Sequence, residues 1–412
     1  AHEVGHTIGF AHNFAASTYA DRASVMDYPA PRVKIVDGKL DLSDAYGVGI
    51  GEWDKFSVQY AYSEFKPEEE EQQLASLIAS AQQRGFLYIS DADARPAGAA
   101  HPLANLWDDG THPVSALQHE MQVRRIAIDT FDASAIRNGS PYAELEKAFV
   151  PVYLHHRYQV EAAAKALAGY DYTYAVKDAT QPVAAVQTPV ELPNQLAALV
   201  ALGQTIEPEQ LVIPQRILSL IPPRVSSAAS DRERFSSQTG PIFDANAAME
   251  AAAELTIGCL LQPERASRLA RQGANPDQLG LRTVIAALRN ATLDGAFERI
   301  KTRNDTYTRE ELIEFDQARR IVERVFVHKL LELCSSPRAS LDARYIAISE
   351  ASEVQRELKS KVKDYTSGSP VSAQWLALVA DIQRFLDRPY PNKQFEEPKE
   401  LPPGSPIGSI GR

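Results

Sequence analysis

The stretch HEVGHTIGFAH, residues 2–12, constrains this chain more than any other. His2 and His6 stand four residues apart, which on an α-helix puts both imidazoles on one face, one turn apart. Gly9 follows three residues later, where a residue that tolerates positive φ lets the chain leave the helix sharply. His12 comes three residues further on and can swing back toward the same face. The spacing therefore predicts a short helix, an abrupt exit and three converging imidazoles. Three neutral imidazoles with one open position form the ligand set of a catalytic zinc site, whereas structural zinc sites are closed by four protein ligands. His2, His6 and His12 are thus candidate ligands of Zn2+. Glu3 lies offset beside them, suited to hold a water and act as general base rather than to bind the metal.

A second element, SVMDY at 24–28, lies a short loop downstream of His12. A long zinc motif followed by a methionine-bearing turn is the signature of the metzincin metallopeptidases, and residues 2–28 closely resemble that clan. In that clan the methionine forms a floor beneath the histidines, a role the resemblance assigns to Met26. The chain has only 3 methionines, so the placement of one here is informative. By the same resemblance Tyr28 is a candidate to stabilise the oxyanion, with a packing tyrosine in the wall of the site as the equal alternative. Asn13 departs from the acidic residue or proline that follows the third histidine in several metzincin families, which argues for a different branch.

More of the chain supports a particular branch. SVMDYPAPRV, GIGEWDKFSVQYAYSEF, LANLWDDGTHP, YLHHRYQVEAAAKALAGYDYTYAV and the closing PPGSPIG resemble large bacterial zinc-dependent metalloproteases with a long helical C-terminal region. The resemblance implies a zinc endopeptidase acting on protein or peptide substrates, exported to a periplasmic or extracellular location. In such enzymes zinc lowers the pKa of a water, Glu3 takes its proton, and zinc with Tyr28 stabilises the oxyanion. Metzincin catalytic domains also carry a twisted sheet upstream of the zinc helix. The expectation is therefore a fragment of a longer protein, whose ligand geometry and supporting shell suffer from the missing scaffold, and which alone binds zinc weakly and cleaves poorly.

The expected fold class is mainly α: the C-terminal part of a metzincin catalytic domain, zinc helix plus Met-turn, followed by a large α-helical domain. Residues 1–65 are turn-rich and hold the motif. Residues 66–113 form a connecting segment that opens on the charged run KPEEEEQQ and contains a strand candidate, FLYIS at 86–90, and loops dense in Pro, Gly and Asp. From 114 to 390 apolar residues recur at helical spacing, with one long amphipathic pattern over 143–169 closed by Gly169 as a C-cap. The Pro/Gly-rich tail, 391–412, is expected to lie extended over the surface or without order.

Net charge of -11 and a pI near 5.4 argue against a nucleic-acid partner. No stretch approaches the roughly 18 apolar residues of a transmembrane segment. Cys259 and Cys334 read as two buried free thiols, with a single bridge as the alternative. His101, His112, His119, His155, His156 and His328 read as structural. Asp91, Asp93, Asp108 and Asp109 lack the spacing of a calcium loop, and WDDG can instead form a bracing turn. Two rival functions remain: a non-catalytic zinc-containing interaction protein whose helical domain binds a partner, which the intact Glu3 disfavours, and a zinc hydrolase acting on a non-peptide amide.

Overall fold

The computed structural model describes residues 1–177, 186–224, 233–295, 307–364 and 368–388. The chain begins with helix α1, His2–Thr7, too short at 6 residues to be stable by itself, so docking must hold it. An irregular path over residues 8–33 carries the Met-turn. Strands β1, Lys34–Val36, and β2, Lys39–Asp41, pair antiparallel with Val36 opposite Lys39. Asp37 and Gly38 both take positive φ, +50° and +73°, as the tight two-residue hairpin turn requires. Helices α2, Glu52–Tyr62, and α3, Glu70–Gln83, follow, with the EEEE run exposed at the entrance to α3.

The run FLYIS, expected as a strand, has no ladder partner among the described residues. It passes instead beside residues 13 and 14: the Phe14 N–H donates to Ile89 O (2.8 Å) and Asn13 Nδ2 donates to Leu87 O (2.9 Å). A short apolar run suits any buried extended segment, and here it fills a small core of Phe14, Ala15, Ile89, Ala94 and Ala104. Within the expected loop that follows, Asp91–Ala94 form a single helical turn, α4.

The remainder is helical, as expected: α5 (Pro113–Thr130), α6 (Leu145–Tyr153), α7 (Arg157–Ala164), α8 (Leu192–Thr205), α9 (Pro208–Leu211), α10 (Gln215–Leu218), α11 (Ala245–Leu260), α12 (Pro263–Gln272), α13 (Leu281–Arg289), α14 (Arg309–Ser335), α15 (Leu341–Asp364) and α16 (Pro370–Asp387). Between α7 and α8, β3 (Tyr170–Tyr172) pairs antiparallel with β4 (Gln187–Pro189). The pattern over 143–169 is not one helix. Pro151 removes an interior N–H donor, α6 ends at Tyr153, and the chain turns before α7 begins. Gly169 lies beyond the end of α7, whose C-cap is Lys165, in the turn that leads to β3. The tail at 391–412 falls outside the described residues.

One large core spans the helices. Leu145, Phe149, Tyr153, Leu202, Ile257 and Phe326 are fully buried in it. Helix α14 packs on α11 and α15, and α15 packs on α16. Thr308 and Glu311 form a reciprocal cap at the start of α14, Thr308 N–H to Glu311 Oε2 (2.7 Å) and Glu311 N–H to Thr308 Oγ1 (3.2 Å). Cys259 and Cys334 are both free. Among the described residues no helix is long and apolar enough to cross a membrane.

The helices also reach toward the N-terminal part. Lys165, the C-cap of α7, buries its ammonium and donates to Ala94 O (2.8 Å) and Ala104 O (2.6 Å). Gln159 Nε2 donates to Trp107 O (2.9 Å), and His119 of α5 bonds Val33 O (2.6 Å). Phe149 lies at the centre of a ring cluster with Phe131, Tyr153 and Phe243. Truncating it to alanine should destabilise the helical core by about 3–5 kcal/mol, read as a lowered unfolding midpoint in thermal or denaturant melts.

Candidate metal centre

Helix α1 is held by what lies beneath it. A Cβ at Gly5 would sit 2.2 Å from Met26 Sδ, so the bare backbone at position 5 is what lets Met26, almost fully buried, seat against α1. The exit is a Schellman turn: the Gly9 N–H donates to His6 O and the Phe10 N–H to Gly5 O, both at 3.0 Å, with Gly9 at φ +92°. Tyr62 of α2 clamps the same turn by donating to Ile8 O (2.8 Å).

That turn brings His12 back over α1. The imidazole centroids of His2 and His6 are 4.7 Å apart, those of His6 and His12 4.8 Å, and those of His2 and His12 5.3 Å. One ring nitrogen from each lies within 4.8 Å of the others. The opposite nitrogen of each ring is already committed. His2 Nδ1 bonds Val25 O (2.5 Å), His6 Nδ1 bonds Phe10 O (2.9 Å), and His12 Nδ1 bonds both Asp91 oxygens (2.9 and 3.1 Å). Carbonyl and carboxylate oxygens only accept, so each Nδ1 must carry the hydrogen. Three Nε2 lone pairs are then left facing one another. His2 and His6 Nε2 are 3.1 Å apart with no hydrogen to share in that tautomer, and among the described residues the buried His12 Nε2 has no hydrogen-bond partner. Convergent acceptors without a donor suit a cation. Nitrogens bound to tetrahedral zinc at about 2.0–2.1 Å lie roughly 3.3 Å apart, close to the spacing of the first pair. The residues fit a zinc ion.

The Met-turn is fixed from α2. Asp54, buried, accepts from Ser24 Oγ (2.6 Å), from the Val25 N–H (2.9 Å) and from the Gly51 N–H at the helix start (2.7 Å). Val25 thus receives Asp54 through its N–H and holds His2 through its carbonyl. The Tyr28 ring packs on His2 (4.8 Å), His12 (5.0 Å) and Trp107 (5.4 Å). Glu3 projects from α1 into an open cleft of about 710 Å³ that it shares with His2, Tyr28, Asp21, Arg22 and Arg32.

WDDG forms the bracing turn. Trp107 N–H donates to Tyr28 O (2.8 Å), and Asp109 grips Arg32 through two bonds (2.5 and 3.0 Å). Asp27 and Asp108 are both buried and share Ser17, whose N–H donates to Asp27 (2.9 Å) and whose hydroxyl donates to Asp108 (3.1 Å). Burial, reinforced at Asp27 by the neighbouring Asp108 charge, raises both carboxyls, Asp108 to about 7.

The structure therefore brings together His2, His6, His12, Met26 and Tyr28, with Gly9 at the exit and Glu3 on the same cleft. The supporting shell, expected to be deficient, is present for all three imidazoles within residues 10–91. Sequence reasoning missed Asp91 and Asp54. Asp91 contacts His12 across 79 positions, which no local spacing rule detects. Asp54 was visible only as an acidic residue three positions after Gly51, a capping pattern. Asp93 serves a protein donor, accepting from the Tyr172 hydroxyl (2.6 Å). His101 and His156 are buried structural residues, and His155 pairs with Glu120 (2.5 Å).

Three imidazoles converge on a helix and its return loop, a group that could hold a metal ion. A family model described as Met-zincin matches residues 1–297, and the chain belongs to that family, which implies zinc binding. No curated protein and no solved structure matches the chain.

The buried Asp27–Asp108 pair ties stability to pH. The fold keeps Asp108 protonated up to about pH 7, whereas an unfolded aspartate ionises near 3.8. Between those values the native state binds more protons than the unfolded chain, so stability from this group is full below about pH 4 and is lost as pH rises through about 7. Unfolding midpoints across that range should decline in the wild type and decline less in Asp108→Asn.

Proposed function

We propose that this chain carries the catalytic centre of a zinc-dependent endopeptidase, with His2, His6 and His12 as the ligands. The observation that supports the reading is the convergence of the three Nε2 atoms, with His12 Nε2 buried and without a hydrogen-bond partner among the described residues. Bound Zn2+ would supply a Lewis acid that makes a water acidic near neutral pH and polarises a carbonyl. The Glu3 carboxylate, in the same cleft, accepts the proton of the attacking water and returns it to the leaving nitrogen. The Tyr28 hydroxyl donates to the carbonyl oxygen as charge develops there, its ring held in place by His2, His12 and Trp107. The cleft, at about 710 Å³, has room for a substrate side chain beside Glu3, and protein or peptide is the substrate class the family implies.

In this reading residues 1–65 and 66–113 supply the site and its braces, and the helices of 114–390 act as an accessory domain that anchors them through Lys165, Gln159 and His119. An exported location, periplasmic or extracellular, follows from the resemblance to exported metalloproteases.

Metal analysis by mass spectrometry should find one zinc per chain, absent from His6→Ala and retained in Glu3→Gln. Casein cleavage should stop on chelation and fall by about 10²–10⁴-fold in Glu3→Gln. Near-wild-type cleavage by Glu3→Gln would overturn the assignment of the base, and stoichiometric zinc in His6→Ala would overturn the ligand set.

A further inference from the structure

We propose that Asp91 is the positioning residue for the third ligand, fixing the tautomer and orientation of His12 from α4, a segment held in place by the helical region. The proposal rests on reading His12 as a metal ligand. Its physical basis is the difference between the three Nδ1 anchors. His2 and His6 are held by backbone carbonyls supplied by the Met-turn and by the helix exit, close to their own helix. His12 has no such carbonyl and depends on a side chain, the Asp91 carboxylate, at 2.9 and 3.1 Å. A charged acceptor makes a stronger hydrogen bond than a carbonyl and raises the basicity of the opposite nitrogen more.

Asp91 is itself held on both sides. Arg95, one turn along, pairs with its Oδ1, and the Arg95 guanidinium lies over the Phe14 ring (5.2 Å) and the Tyr28 ring (5.6 Å). The Ser90 hydroxyl donates to Asp91 Oδ2 (3.3 Å). Ala94, the last residue of α4, gives its carbonyl to the buried ammonium of Lys165 at the end of α7 (2.8 Å). Asp93 receives the hydroxyls of Tyr172 in β3 and of Tyr174. The connection from the helices to the third ligand is therefore continuous: Lys165, Ala94, Asp91, His12. Two ligands are set locally, and the third is set by an element that the helical region holds.

The test reads the imidazoles directly. Histidine-selective ¹⁵N labelling and long-range ¹H–¹⁵N spectra of the metal-free protein report the tautomer of each ring. His12 should be the Nδ1–H form in the wild type and shift toward the Nε2–H form preferred by a free side chain in Asp91→Ala, with His2 and His6 unchanged. Zinc affinity, measured against a competing chelator, should fall about 10- to 100-fold in the same variant. The visible spectrum of the Co2+-substituted protein should change with it. Asp91→Glu should recover part of both. Asp91→Asn, which keeps the volume and one acceptor oxygen, should fall between and serves if Asp91→Ala does not fold. An Nε2–H tautomer at His12 in the wild type, or an Asp91→Ala protein with unchanged His12 tautomer and zinc affinity, would overturn the proposal. Failure of the metal-site reading is separately visible as zinc binding that survives His6→Ala, because the tautomer measurement needs no metal.

Discussion

Three imidazoles present bare acceptor nitrogens to one another because each has given away its only N–H on the opposite side. The rest of the N-terminal architecture exists to make those three donations hold. The Val25 carbonyl is aimed by Asp54 from α2. The Phe10 carbonyl is aimed by the turn that Gly9 permits and Tyr62 clamps. The Asp91 carboxylate is aimed by α4, Arg95 and Lys165. Lone pairs that face one another repel, and a cation bound between them would remove that repulsion. Preorganisation of this kind shifts the cost of assembling the site from binding to folding.

The supports also explain why so irregular a segment is ordered. Residues 8–33 and 84–112 contain little regular structure, and their backbone polar groups need partners. Buried carboxylates supply many of them: Asp27, Asp54 and Asp108 together take up donors from Ser17, Ser24, Val25, Tyr28, Gly51 and Asn105. These acidic side chains do the work that sheet ladders do in other folds, and removing one leaves buried donors unpaired at about 1–3 kcal/mol each.

Legibility from sequence followed distance along the chain. The zinc motif, the exit at Gly9 and the Met-turn lie within 28 residues, and local spacing rules describe them. The helical texture beyond 114 was legible as periodicity, but its interruption at 151–156 was not, because Pro151 sits in a pattern whose apolar spacing continues past it. FLYIS satisfied a strand pattern and lacked only a neighbour, which composition cannot supply. Asp91 and Asp54 act across 79 and 29 positions, and in the sequence each looks like an ordinary solvated acid. Side chains that orient ligands carry no spacing signature, since any element that reaches the site can furnish them.

The contact between Gly5 and Met26 has a consequence for how this centre can vary. The two residues occupy a single small volume: the absent side chain of one is the space filled by the other. A larger residue in the middle of α1 is compatible with this packing only if Met26 beneath it is replaced at the same time. Variation at position 5 is therefore tied to position 26: a side chain gained first at 5 lifts the helix off its support, and a floor cut back first at 26 leaves a cavity beneath it.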